Sequence, residues 1–284
     1  MHWRLLLLAI LVALLPLEAG ASEERSQRIV SLNLCADELL LRLADREDVA
    51  SITFLGADER FSSVAALAEG LHVNHGKAEE VLPLHPDLVL AEPYSARSTT
   101  QLLRRAGISV LDLPVPTSFQ EVYQQIEKLA KTLGQEERGR RLVTSMQQRL
   151  AALGPPPAAG QPLAAVYQPN GFLVGPGTLV HEVLTAAGLR NLAAVAFQDH
   201  YGALPVERLL WHQPDLLILN RAEERGASLA HEILRHPALK EFFSEVHTAV
   251  VHPSLWTCGG PGLVEAVELL RAAATHLRQA EARE

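Results

Sequence analysis

A twelve-residue pattern of the chain recurs once. Glu79-Glu80-Val81-Leu82-Pro83-Leu84-His85-Pro86-Asp87-Leu88-Val89-Leu90 returns as Glu207-Arg208-Leu209-Leu210-Trp211-His212-Gln213-Pro214-Asp215-Leu216-Leu217-Ile218, displaced by 128 positions (207 − 79). Each copy reads as a short helix with a glutamate near its start, a Pro-Asp break and an all-apolar strand. Pro-Asp before an apolar run is ordinary punctuation in α/β chains, but the matched glutamates make the two copies a structural repeat. A duplicated helix-strand unit implies two similar lobes, and two lobes imply a cleft between them.

The surrounding pattern agrees. Strands are expected at Arg28 to Leu32, Val49 to Phe54, Asp87 to Ala91 and Ser109 to Leu113, with helices at Ala78 to Leu84 and Thr99 to Ala106. Asp37 opens an amphipathic run, so Cys35 stands where a strand hands over to a helix. From Ser118 to Leu153 the apolar residues fall three and four apart, and Gly134 divides the stretch into two helices, the second running from about Glu136 to Leu153. The run Gly154-Pro155-Pro156-Pro157 ends it, since no helix survives three prolines. Beyond it come strands Leu163 to Tyr167, Leu216 to Asn220 and Thr248 to Val251, and helices Thr178 to Ala187, Leu229 to Leu234 and Gly262 to Gln279. Alternation of this kind builds parallel sheets through crossovers. The expected division is a first α/β lobe over 28–118, a helical region over 119–153 containing a long linking helix, and a second α/β lobe over 161–284.

Residues 1–21 read as a Sec signal peptide: Arg4, an apolar run from Leu5 to Leu17, then Ala19-Gly20-Ala21 as the cleavage pattern. The apolar run is too short to cross a bilayer, so the mature chain is expected in the periplasm. No cysteine follows it, which gives no sign of a lipid anchor. The net charge of −8, from 25 Lys and Arg against 33 Asp and Glu, leaves no basic footprint for a phosphate backbone, and nucleic acid is excluded as a partner. The two cysteines, Cys35 and Cys258, lie near opposite ends of the mature chain. As an exported pair they are a disulfide candidate.

The run Arg28-Ile29-Val30-Ser31-Leu32, the paired Pro-Asp-Leu strands behind glutamate-bearing helices, the segment Leu103 to Val110 and the long linking helix resemble the periplasmic substrate-binding proteins of ABC importers for ferric siderophores, haem and vitamin B12. The resemblance runs from residue 28 to about 278 and is nearest to the vitamin B12-binding members. It implies an α/β fold of two Rossmann-like lobes with parallel sheets, joined by one long rigid helix, with the ligand cleft between them. It also implies that the chain is not an enzyme. Its partners would be a small-molecule metal chelate as cargo and the permease dimer of an ABC importer, met by a monomeric receptor. No cofactor is implied, only the iron or cobalt of the cargo. The family's docking glutamates, one per lobe, fall on Glu79 and Glu207; read without the resemblance, each would be a helix-terminal charge facing the dipole.

In this family the loops after the strands hold the ligand, which selects Asn33, Cys35, Asn74, His75, Tyr94, Tyr167, Phe172, His200, Tyr201, Trp256 and Cys258 as expected ligand-binding positions. Aromatic walls suit a large flat organic molecule. Tyr167 reads equally well as strand core, and for His75 and His200 a place at the surface is the commoner fate. For the cysteines three readings stand: a disulfide across the cleft, a pair of thiolates gripping a metal with His75 or His200 beside them, or two unpaired buried thiols. The expected function is a receptor that captures a ferric siderophore, corrinoid or haem and delivers it to the importer. The alternative is an exported thiol-redox or metal-dependent enzyme built on the same cysteines and histidines. No CxxC, HExxH, GxSxG or phosphate loop occurs to support it.

Overall fold

The computed structural model describes residues 27–157, 159–197, 201–220, 236–243 and 247–282. The expected signal peptide and the helix expected at Leu229 to Leu234 lie outside the described residues. In the first lobe β1 (Ile29–Ser31), β2 (Val49–Thr53), β3 (Val73–Asn74), β4 (Leu88–Ala91) and β5 (Ser109–Asp112) form one sheet in the order β3-β2-β1-β4-β5. Every neighbouring pair in it is parallel. In the second lobe β6 (Leu163–Tyr167), β8 (Arg190–Asn191), β10 (Leu216–Asn220) and β11 (Thr248–Val251) form a parallel sheet in the order β11-β10-β6-β8. Between these strands β7 (Phe172–Val174) and β9 (Tyr201–Ala203) pair as an antiparallel ribbon.

The sheets share one plan, with β6 in the place of β1 and β10 in the place of β4. The repeat survives to the level of single hydrogen bonds. The Asp87 carboxylate accepts from the Arg28 amide at 2.9 Å, and the Asp87 amide donates to the Arg28 carbonyl at 2.9 Å. The Asp215 carboxylate accepts from the Leu163 amide at 2.7 Å, and the Asp215 amide donates to the Leu163 carbonyl at 2.8 Å. The residue before each proline, His85 or Gln213, turns the chain in the left-handed region with φ of 46° and 47°. So in each lobe a short helix, α2 (Ala78–Val81) or α8 (Val206–Trp211), is fixed against the start of the central strand in the same way.

Side chains of the central strands alternate between two apolar layers, as strand geometry requires. Ile29, Leu90, Ala164, Val166, Leu216 and Ile218 point into one core. Val30, Val89 and Ala91 point into a second core, and Leu163, Ala165, Tyr167, Leu217 and Leu219 into a third. Burial on both faces explains why these strands read as unbroken apolar runs. The first core is continuous through both lobes. It also takes in α1 (Leu34–Leu43), α4 (Phe119–Thr132), α5 (Glu136–Ala152), α6 (Leu179–Ala187) and α10 (Gly262–Glu281). The short helices α3 (Arg97–Arg105), α7 (Leu192–Ala196) and α9 (Pro237–Phe242) complete the described set.

The link between lobes is α5, about 25 Å long at 1.5 Å per residue, entered through a tight turn in which Gly134 has φ of 68°. Near its start Arg138 donates to the Leu43 and Ala44 carbonyls at 2.7 Å and pairs with Asp45 at 2.7 Å, fastening it to the first lobe. Near its end Arg149 grips both carboxylate oxygens of Glu268 on α10, at 3.0 and 2.6 Å, fastening it to the second. The helix is a strut with a guanidinium at each end. Its close packing on α4 depends on Gly139, where an added Cβ would overlap the Ala130 methyl. Gly139→Val is expected to lower unfolding free energy by about 1–3 kcal/mol, read as an earlier urea midpoint with an unchanged slope. An unchanged midpoint would contradict this packing.

Candidate functional site

The loops at the carboxyl ends of the strands meet between the lobes, where open α/β sheets place their ligands. Two adjoining hollows form the cleft. The larger has a volume of about 200 Å³ and is walled by Val115–Thr117 after β5 on one side and by Gln168, Thr178, Tyr201 and Thr257 on the other. The deeper is lined by Asn33, Cys35 and Glu92 from the first lobe and by Leu179, Thr257 and Gly259 from the second.

Cys35 and Cys258 are joined by a disulfide at the deeper hollow, their Cα atoms 5.0 Å apart and 223 positions apart in sequence. Cys35 stands in the first turn of α1 and Cys258 just ahead of α10, so the bond ties the lobes together across the cleft floor. The readings as metal-binding thiolates and as free thiols are therefore corrected: both sulfurs are spent in the disulfide. Beside it Asn33 caps α1. Its Oδ1 accepts from the Ala36 amide at 2.8 Å and its Nδ2 donates to Glu92 Oε2 at 3.1 Å.

Two expected ligand contacts are corrected. Asn74 is fully buried, its Nδ2 within 3.0 Å of the Ser31 carbonyl, the Ser51 hydroxyl and the Ile52 carbonyl, and its Oδ1 accepting from Gly76. It staples three strands and has no atom left for a ligand. Tyr167 is also fully buried and its hydroxyl donates to the Leu204 carbonyl at 2.8 Å. Burial, with the charge of Glu207 adding to it, pushes that hydroxyl up to about 12. Its place at the end of β6 turns it into the outer core rather than into the cleft.

Of the remaining described positions only Tyr201 and Trp256 reach the hollows. Tyr201 and Trp256 line the larger hollow, Tyr201 exposed and Trp256 only 2% exposed, as a wall seated in the core. Tyr94 is 72% exposed after β4, with the Arg97 guanidinium 5.4 Å from its ring centre, and Phe172 is half exposed on the β7–β9 ribbon. None of Tyr94, Phe172 and His75 lines the two hollows. His75 follows β3, stacks on Phe54 at 5.2 Å and bonds Glu80. His200 lies outside the described residues.

Phe54 had no signal in the sequence beyond ending a strand, and its setting depends on two buried carboxylates of α1. Asp37 accepts from the Thr53 amide at 3.1 Å and from the Thr53 hydroxyl at 2.5 Å, next to Phe54. Glu38 accepts from the Ser63 amide at 2.8 Å and pairs with Arg42 at 2.9 Å. The loop bearing Phe54 and Phe61 is thus held at both ends. Gly56 is required there, since a Cβ would overlap the Asp37 side chain.

Glu79 and Glu207 occupy the second position of α2 and α8, each directly after a buried residue, Ala78 or Val206, and each exposed. Neither carboxylate has a hydrogen bond or ion pair with a described residue, whereas neighbouring Glu80 is engaged by His75. Among the described residues no group of His, Cys, Asp and Glu could hold a metal ion, and no helix is long and apolar enough to cross a membrane.

The profile of the family described as "Periplasmic binding protein" matches residues 29–243. A cobalamin-binding protein of Halobacterium salinarum is 28% identical over 72% of the chain, which spans only 56% of that relative's length. An uncharacterized ABC transporter substrate-binding lipoprotein of Bacillus subtilis is 25% identical over 87% of this chain and 80% of its own. The crystal structure of the periplasmic vitamin B12-binding protein of Vibrio cholerae shares the fold, with a TM-score of 0.66 and 22% identity over 90% of this chain and 98% of that one.

Burial raises the Asp37 carboxyl from 3.8 to about 7. Its protonated form therefore stabilises the fold fully below about pH 4, the range where an unfolded chain also keeps the proton, and that contribution is lost as pH rises through about 7. Urea unfolding from pH 4 to pH 8 is expected to show Asp37→Asn gaining on the parent with rising pH, by on the order of a few kcal/mol. Parallel pH curves for the two proteins would contradict it.

Proposed function

The chain belongs to the periplasmic binding protein family, a family of binding proteins and not of enzymes, and we propose that it is the periplasmic receptor of an ABC importer for a corrinoid. The carrying observation is the pair of exposed carboxylates, Glu79 and Glu207, which have no hydrogen bond or ion pair with a described residue and which the duplicated Pro-Asp clasps present at the same place on the two lobes. Two fixed negative charges on either side of a cleft suit charge-assisted bonds to arginines on two permease subunits, and they report the spacing of the lobes. In this reading residues 1–21 direct export and are removed, the receptor acts as a monomer, and it carries no cofactor of its own.

The cargo follows from the polar lining. Asn33, Thr117, Gln168, Thr178 and Thr257 line the hollows with neutral amides and hydroxyls, of which Asn33, Thr117, Thr178 and Thr257 also bond Glu92, Glu121, Gly175 and Pro253, and Glu92 adds a carboxylate; the two hollows have no Lys or Arg among their described lining residues. Such a set matches the amide-rich rim of a corrinoid better than the carboxylates of haem or an anionic ferric chelate, because an unpaired anion would be desolvated against Glu92. The Halobacterium relative's name points the same way. Asn33, the disulfide Cys35–Cys258, Tyr201 and Trp256 would hold the ring system, with His75, Tyr94 and Phe172 at the rim.

Charge reversal separates transport from capture. Glu79→Lys or Glu207→Lys is expected to cut uptake of labelled cobalamin at least about tenfold while the purified variant binds cobalamin within about twofold of the parent. Undiminished uptake by the double variant would overturn the docking reading.

A further inference from the structure

Four residues after Glu207 the same short helix ends in Trp211, and the two side chains stand one turn apart on the exposed side of α8, with Leu209 buried beneath. Trp211 is 73% exposed, more than any other large apolar side chain among the described residues. Its ring lies against the His212 imidazole, centroids 5.0 Å apart and planes at 76°, which steadies the indole without covering it. The repeat makes the other lobe a control: position 83 (211 − 128) is proline, so Glu79 has no aromatic neighbour at this place.

We propose that Glu207 and Trp211 form one clamp for a single arginine on the outer face of the importer's permease. The carboxylate would take the edge of the guanidinium in paired hydrogen bonds while the indole covers its flat face. The guanidinium is the partner that fits, being charged, planar and weakly hydrated, whereas an ammonium is a compact, strongly hydrated charge. Buried Trp and Arg are also the residues that concentrate affinity at protein interfaces. The second lobe then grips the permease more tightly than the first, and the first lobe is the one that lets go early. This inference rests on the docking reading of Glu79 and Glu207.

The test is a double-mutant cycle on docking, with the purified permease–ATPase complex of the same organism's cobalamin importer held in lipid nanodiscs and the full-length receptor titrated over it. Trp211→Ala is expected to weaken docking about tenfold and Trp211→Phe by less. In a Glu207→Gln background the Trp211→Ala change should cost about twofold or less, because the two side chains hold one group. Cobalamin affinity and melting temperature should stay at parental values. If Glu207→Gln weakens docking but Trp211→Ala does not, or if the two losses simply add, the clamp is wrong and the docking carboxylates stand. If Glu79→Gln and Glu207→Gln both dock like the parent, the docking reading falls and the clamp with it.

Discussion

The bond between Cys35 and Cys258 sets the terms for everything above it. It joins the first helix of one lobe to the start of the last helix of the other, and closing a loop of that length removes about 5 kcal/mol of conformational freedom from the unfolded chain in the entropic account. It lies at the cleft floor. Together with α5, which is pinned to the first lobe by Arg138 and to the second by Arg149, it leaves the lobes two ties and one core shared between them. Two ties and a shared core oppose a wide swing of the lobes, which keeps the ordering cost of binding low.

On that frame the duplicated unit does its work. Each Pro-Asp clasp fixes a short helix to the head of a central strand through one carboxylate–amide bond and one backbone bond, and the glutamate at the second position of each helix is exposed and has no hydrogen bond or ion pair with a described residue. Identity of placement matters more here than charge alone. In the docking reading proposed above, a permease that reads the distance between two carboxylates would need each held stiffly by its own lobe, and the clasps supply that stiffness.

Much of this was legible in the order of residues. β6, β10 and β11 run over the expected residues, the α4–α5 break falls at Gly134, and the repeat predicted matching lobes. What escaped was short or spatial. β3 and β8 have two residues each, too few to show a period, and the β7–β9 ribbon interrupts the alternation with three-residue strands. Sequence alone puts Asn74 in the cleft and leaves Tyr167 between cleft and core for one reason: a polar group at the carboxyl end of a strand can serve the cleft or the interior, and only the packing of neighbouring strands decides which. Phe54 was invisible because its position depends on Asp37, which lies on another element. Sulfur pairing across 223 positions left three readings open until the fold brought the two residues together.

We propose that the disulfide-floored cleft of neutral polar groups, with Glu92 the one carboxylate among its described lining residues, selects an amide-rimmed corrinoid over anionic tetrapyrroles and chelates. Calorimetric titration of the oxidised protein with cyanocobalamin, haemin and a ferric catecholate tests it most directly. The account predicts one cyanocobalamin bound with micromolar or tighter affinity, about −8 kcal/mol or better, and at least about a hundredfold weaker binding of the two anions. Tighter binding of haemin or of the ferric chelate, or no corrinoid binding at all, would contradict it.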